Sequence, residues 1–279
     1  FFDTADGYNN GLSEKAIGKF IKSAGQRIFV ATKCGRRLNP HNAQGYNREN
    51  IRRFVHDSLE NMGLETLDLI QLHCPPTEVY RNQEVYDCLD ELKKEGKILN
   101  YGMSVEKIEE ALIAAQHEGV ATIQIIFNMF RQKPIEGFFT EAKNKNIGVI
   151  ARVPLASGLL SGKINQNTTF DKDDHRLFNR NGEYFDKGET FSGVNFEAGI
   201  KAAEELKSIF GGTDKLAQYA LRWILMFDSV NCVIPGASNQ HQIETNVMTS
   251  DLPPLTEEQM DQVQKIYEKY IKKDVHHLW

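Results

Sequence analysis

Short apolar runs alternate with longer runs whose apolar residues recur at helical spacing, and this alternation narrows the possible folds more than any other feature of the chain. The short runs are 27–33, 67–73, 98–103, 122–127, 147–153 and 230–234, with Phe1-Phe2-Asp3 as the end of another. Between them lie predicted helices: one from Ser13 to Ala24, and one capped by Asn47 that carries Ile51, Val55, Leu59 and Met62 and stops at Gly63. Others follow at 85–92, 107–118 and 137–145. A helix between two strands of this kind is a βαβ unit, and a series of such units builds a parallel sheet. Seven strands are counted where a closed (β/α)₈ barrel has eight, and the chain begins without Met inside its first motif. The expectation is therefore an α/β chain of the TIM-barrel class whose first strand and helix lie before Phe1; a seven-stranded open sheet is the alternative.

The rhythm fails from 157 to 195, a stretch rich in Asn, Asp, Gly and Lys, and a long irregular loop inside a domain is usually functional. Helices are predicted at 198–210 and 213–227. Thr256-Glu257-Glu258-Gln259 has the form of a capping box and opens a C-terminal helix to about 271. The whole, 1–279, reads as one domain. Net charge is -5 and 25% of residues are charged, so no basic excess is available for nucleic-acid phosphates or anionic lipid. With no apolar run long enough for a membrane helix and no leader pattern, a cytoplasmic protein without a membrane partner is expected.

The strand ends carry chemistry. Asp3 closes the first run, Lys33 the second and His73 the third, and Tyr8 sits on a turn marked by Gly7, Asn9, Asn10 and Gly11. These four gather on one rim of a parallel sheet. A phenol with a pKa of about 10 is a poor proton donor at neutral pH, and an adjacent ammonium stabilises the phenolate and lowers that value. Cys34, Cys74, Cys88 and Cys232 lack metal spacing and read as packing residues. Strand alternation turns Cys34 and Cys74 toward the helices if Lys33 and His73 point the other way. No metal site is expected, and His276-His277 reads as an ordinary tail.

Phe2-Asp3-Thr4-Ala5-Asp6-Gly7-Tyr8 with Ser13-Glu14, Thr32-Lys33-Cys34, Leu69-Ile70-Gln71-Leu72-His73, Tyr101-Gly102-Met103-Ser104, the run from Pro154 to Lys163, and Ile234-Pro235-Gly236-Ala237-Ser238 stand in the order found in aldo-keto reductases. The resemblance spans nearly the whole chain and is closest to bacterial-type members that also resemble voltage-gated potassium channel beta subunits. It implies reduction of a small-molecule aldehyde or ketone by NADPH, with NADH less favoured, on a (β/α)₈ barrel without metal. Tyr8 matches the proton donor, Lys33 the ammonium beside it, Asp3 the carboxylate that holds the lysine, and His73 the residue that orients the carbonyl. In the channel subunits the histidine position carries asparagine, so His73 favours a working reductase.

The resemblance also assigns a cofactor site. Ser104 and Gln124 match contacts to the nicotinamide carboxamide, and Arg152 stands where many members stack an aromatic on the ring. Pro154, Leu155, Ser157 and Gly158, with Lys163, match the pyrophosphate loop, which makes 157–195 a cofactor-covering loop. Arg176, in Asp174-His175-Arg176, matches an arginine that reaches the 2′-phosphate. Gly236, Ser238, Gln242 and Asn246 match the adenosine-phosphate site, although Gln242 replaces an arginine and Thr245 a glutamate of many relatives. Two rival readings stay open: a subunit that binds NADPH and regulates a partner without turnover, and a Schiff-base lyase with Lys33 as nucleophile. The run 158–163 is one residue short of a P-loop and has Ile164 in place of the required hydroxyl, and no G-x-G-x-x-G follows a strand, which argues against a Rossmann dehydrogenase.

Overall fold

Local signals set most of the elements. In the computed structural model, which describes residues 1–279 apart from the side chain of Asp214, the Asn47 side chain accepts from the Asn50 N–H. Helix Arg48–Met62 then runs until Gly63 turns left-handed at φ 60°. Ile51, Val55, Leu59 and Met62 form its buried face. Thr256 and Gln259 close their capping box at the start of Glu257–Tyr270.

In chain order the elements are β1 (Phe2–Asp3), α1 (Leu12–Ser23), β2 (Val30–Cys34), α2 (Arg48–Met62), β3 (Leu67–His73), α3 (Gln83–Lys94), β4 (Ile98–Ser104), α4 (Ile108–Ala114), β5 (Val120–Ile126), α5 (Phe138–Asn144) and β6 (Gly148–Arg152). They continue with α6 (His175–Phe178), α7 (Phe196–Phe210), α8 (Thr213–Ile224), β7 (Val230–Val233), α9 (Gln240–Met248), α10 (Glu257–Tyr270) and α11 (Lys272–Val275). The seven strands form one sheet in chain order, which is the order of a (β/α)₈ barrel and differs from that of doubly wound sheets built of the same βαβ units. α4 ends four residues short of the predicted 118, and α11 follows the predicted C-terminal helix without having been predicted itself.

Two compact units divide the chain: Phe1–Val105 with Glu109–Gln124 and Glu141–Gly148, and Glu106–Ile108 with Ile125–Thr140 and Val149–Trp279. In the first, α1 crosses α2 at Gly18, where a Cβ would lie 2.2 Å from the Met62 carbonyl oxygen, so only glycine permits the approach. The register of its strands sets one face of the sheet. Asp3 pairs with Ala31, Lys33 with Gln71, Gln71 with Gly102, His73 with Ser104, and Ser104 with Gln124. Because side chains alternate, Asp3, Lys33, His73, Ser104 and Gln124 all emerge on that face. In the second unit Phe127, Phe139, Trp223 and Phe227 make an aromatic core, with Phe127 4.8 to 5.0 Å from the other three rings. No helix is long and apolar enough to cross a membrane among the described residues.

Candidate active site

Lys33 leaves the end of β2 inside the first unit and is 1% exposed. Its Nζ forms an ion pair with Asp3 Oδ1 and donates to the Thr4 carbonyl at 2.8 Å. The other Asp3 oxygen accepts from Gln124 Nε2 at 2.8 Å. A buried ammonium thus meets a carboxylate that is itself fixed from β5, the arrangement in which a buried charge is tolerable. Lys33 Nζ lies 5.4 Å from the centre of the Tyr8 ring, and the His73 ring stands edge-on to Tyr8 at 6.0 Å. Tyr8 is half-exposed, at 46%. The loop that presents it is sharply turned, with Asn9, Asn10 and Gly11 all at positive φ, and Thr4 Oγ1 bonds to Ser13 Oγ to tie the loop to α1. The four strand-end residues therefore do come together, with one flexible-chain cation dry and the phenol open to solvent.

Ser104 and Gln124 share the face but are already engaged: Gln124 through its amide nitrogen with Asp3, and Ser104 Oγ with Cys74 Sγ at 3.4 Å. That last contact corrects the sequence reading of Cys74. The strand ends at His73, and Cys74 turns to φ 49°, so simple alternation no longer applies and the thiol meets Ser104. Cys34 does lie on the helix side, near Asp6, Glu14 and Cys88, and burial pushes its thiol pKa well up. Asp6 is fully buried within the loop that leads to Tyr8; burial, aided by Glu14 and opposed by Arg37 and the Gly7 N–H, raises its pKa to about 7.

The remaining sequence-predicted residues belong to the second unit. Arg152 ends β6 and is held by Glu106 at 2.7 Å and Glu189 at 3.4 Å. Burial raises the Glu106 pKa, with Arg152 acting against it and Glu189 with it. Neither glutamate was found from the sequence. Glu106 follows β4 by two residues, so the strand-end rule could have found it; Glu189, inside the irregular stretch, had no signal.

From Pro154 the backbone turns tightly, with Ala156, Ser157 and Gly158 consecutively at positive φ. The Ser157 hydroxyl donates to the Glu189 carbonyl and accepts from the Phe191 N–H, leaving the turned backbone facing an open groove of about 960 Å³. Ser157, Asp171, Lys172, Asp173, Asp174, His175, Arg176 and Phe178 line that groove. Arg176 is bidentate to Asp174, keeping that carboxyl below its usual range, and stacks on Phe170 at 4.6 Å. Arg176 Nη1 would be 3.6 Å from a Cβ on Gly158, so the guanidinium overlies the turn. The turned backbone, Lys172 and Arg176 are groups that can bind phosphate, while Asp171, Asp173 and Asp174 on the same groove offset their charge and Asp174 already pairs with Arg176. Leu155 is half-buried beside this turn, and Lys163 is exposed. Ser238 and Gln242 bond to each other on an exposed segment, with Gly236 before them and Asn246 one turn later on α9.

The chain is similar to known proteins over most of its length. Residues 1–268 match the model of the Aldo/keto reductase family. The chain is 28% identical to an uncharacterized oxidoreductase of Bacillus subtilis, YqkF, over 99% of its length and 84% of that protein. It is 30% identical to the Bacillus subtilis aldo-keto reductase YhdN, over 87% of its length and 72% of that protein. Among solved structures, a glycerol dehydrogenase from Gluconobacter oxydans superposes with a TM-score of 0.77 at 29% identity, covering 96% of this chain and 81% of the other.

Proposed function

Because the chain belongs to the aldo/keto reductase family, and is on that account an NADP-dependent oxidoreductase, we propose that it reduces the carbonyl of a small aldehyde or ketone to an alcohol with Tyr8 as the proton donor. The observation that carries this reading is the Lys33 ammonium, dry, paired with Asp3, and 5.4 Å from the centre of the Tyr8 ring. A cation held there stabilises the negative charge left on the phenol oxygen as its proton moves to the nascent alkoxide. Asp3 keeps the ammonium from drifting, and Gln124 keeps Asp3 in register. His73, edge-on to Tyr8, orients the carbonyl oxygen.

When bound, NADPH supplies the hydride. Ser104 and Gln124 would hold its carboxamide: the Gln124 nitrogen is committed to Asp3, which leaves the side-chain carbonyl to accept from an amide N–H. Arg152 would lie by the ring. Ser157 and Gly158, with Pro154, Leu155 and Lys163, would follow the pyrophosphate. Arg176 would take the 2′-phosphate, and Gly236, Ser238, Gln242 and Asn246 the adenosine side. Preference for NADPH over NADH then rests on Lys163 and Arg176.

The test is Tyr8→Phe. Turnover on a panel of aldehydes and ketones should fall about 10²–10⁴-fold while NADPH affinity, read from quenching of protein fluorescence, stays within about twofold. Wild-type turnover in that variant would sink the assignment. A wild-type protein that binds NADPH tightly yet oxidises it with no carbonyl would instead be a regulatory cofactor-binding subunit, and borohydride trapping of an adduct on Lys33 would point to Schiff-base chemistry.

A further inference from the structure

Residues 186–193, which end the long irregular stretch, are in a conformation that must be held. Phe191 and Ser192 both adopt positive φ, at 52° and 58°, a region that non-glycine residues occupy at a cost. One edge of the segment meets the phosphate turn: Ser157 Oγ donates to the Glu189 carbonyl at 3.1 Å and accepts from the Phe191 N–H at 3.0 Å, while the Glu189 carboxylate reaches Arg152. Asn128 Nδ2 donates to Ser192 Oγ at 2.7 Å.

The other edge meets Trp279. Its indole Nε1 donates to Asp186 Oδ1 at 3.0 Å, the same oxygen that accepts from the Gly188 N–H. The Arg131 guanidinium lies over the indole at 3.6 Å and donates to the Ser192 carbonyl. Burial pulls the Arg131 pKa down to about 9, with Glu106 and Asp186 opposing the shift, so the group over the ring is still a cation at neutral pH. The fit excludes a side chain on the loop: a Cβ on Gly193 would be 2.3 Å from indole Cη2, and one on Gly188 would be 2.8 Å from Arg131 Nη1. Trp279 is brought there by His276, whose ring is fixed by the Tyr267 hydroxyl and by Glu136.

We propose that Trp279 is a positioning residue for cofactor binding: it clamps 186–193, and the clamped segment fixes Ser157 and Arg152 for the dinucleotide. The clamp stands on its contacts alone, whereas its effect on affinity rests on the function proposed above. Loss of the indole removes one hydrogen bond to a charged group and one cation–π stack, enough for about a tenfold change in an equilibrium.

The experiment compares wild type, Trp279→Ala, Trp279→Phe and Asp186→Asn by amide hydrogen exchange over 186–193 and by NADPH titration. Trp279→Ala should exchange faster in that segment and bind NADPH about tenfold more weakly, with kcat at saturating NADPH and KM for the carbonyl within twofold. Phe keeps the stack and loses the bond to Asp186, so it should fall between, while Asp186→Asn keeps an acceptor for the indole N–H, loses only the charge and should lie nearer wild type; these two report if the alanine variant does not fold. Unchanged exchange overturns the clamp, and faster exchange with unchanged affinity overturns the positioning role. A proportional loss of active protein with the remainder binding normally would also overturn it, since that is what a merely structural residue does. Failure of wild type to bind NADPH would count against the proposed function, with the exchange result still deciding the clamp.

Discussion

Replacing Lys33 by methionine keeps the length of the stem and deletes only the charge and its donors, so it isolates the ion pair from packing. In the folded protein Lys33 is 2% and Asp3 8% exposed at the side chain, which leaves little solvent to screen the carboxylate once its partner is gone. Removing one member of a buried pair costs ~3–5 kcal/mol, and the Thr4 carbonyl loses a donor as well. Gln124 still donates to Asp3, so the lower end, ~3 kcal/mol, is expected.

Adding Asp3→Asn removes the orphaned charge, and the double variant should regain ~2 kcal/mol of that loss while staying inactive. Urea unfolding monitored by fluorescence and circular dichroism measures the stability, and NADPH oxidation with a reactive aldehyde measures the activity. If Lys33→Met unfolded with the wild-type midpoint, or if the double variant lost the sum of the two single losses, the pair would not be the buried, coupled unit described here.

Asp6→Asn tests the carboxyl within the loop that leads to Tyr8. Its folded pKa of about 7 lies above the ordinary 3.8, so the folded state holds the extra proton between those values and Asp6 costs stability as pH rises through that window. The advantage of asparagine should therefore grow from pH 4 to 7 and level off above; allowing for the unpaired amide, ~2 kcal/mol at pH 8 is expected in unfolding curves taken across pH. Gly18→Ala, which would drive a Cβ into the Met62 carbonyl, should cost ~2–3 kcal/mol with the cofactor affinity of the folded protein unchanged.

The sequence by itself determined whatever depends on neighbours in the chain. The 3.6-residue spacing of Ile51, Val55, Leu59 and Met62, the caps at Asn47 and Gly63, and the Thr256 capping box are local signals, and each produced its helix. Strand period together with parallel order was enough to bring Asp3, Lys33 and His73 to one rim, because side-chain alternation and register leave no other face for them. Only the tertiary structure decided the rest. Cys74 left the expected face through one positive φ beyond the strand end, a rotation that no pattern of residue types encodes. Gln124 found Asp3 across 121 positions of sequence, and Trp279 found Asp186 across 93, with Arg131 over its ring from another loop. Such partners are fixed by packing and by the need to pair buried polar groups, and neither is written in the spacing of one segment.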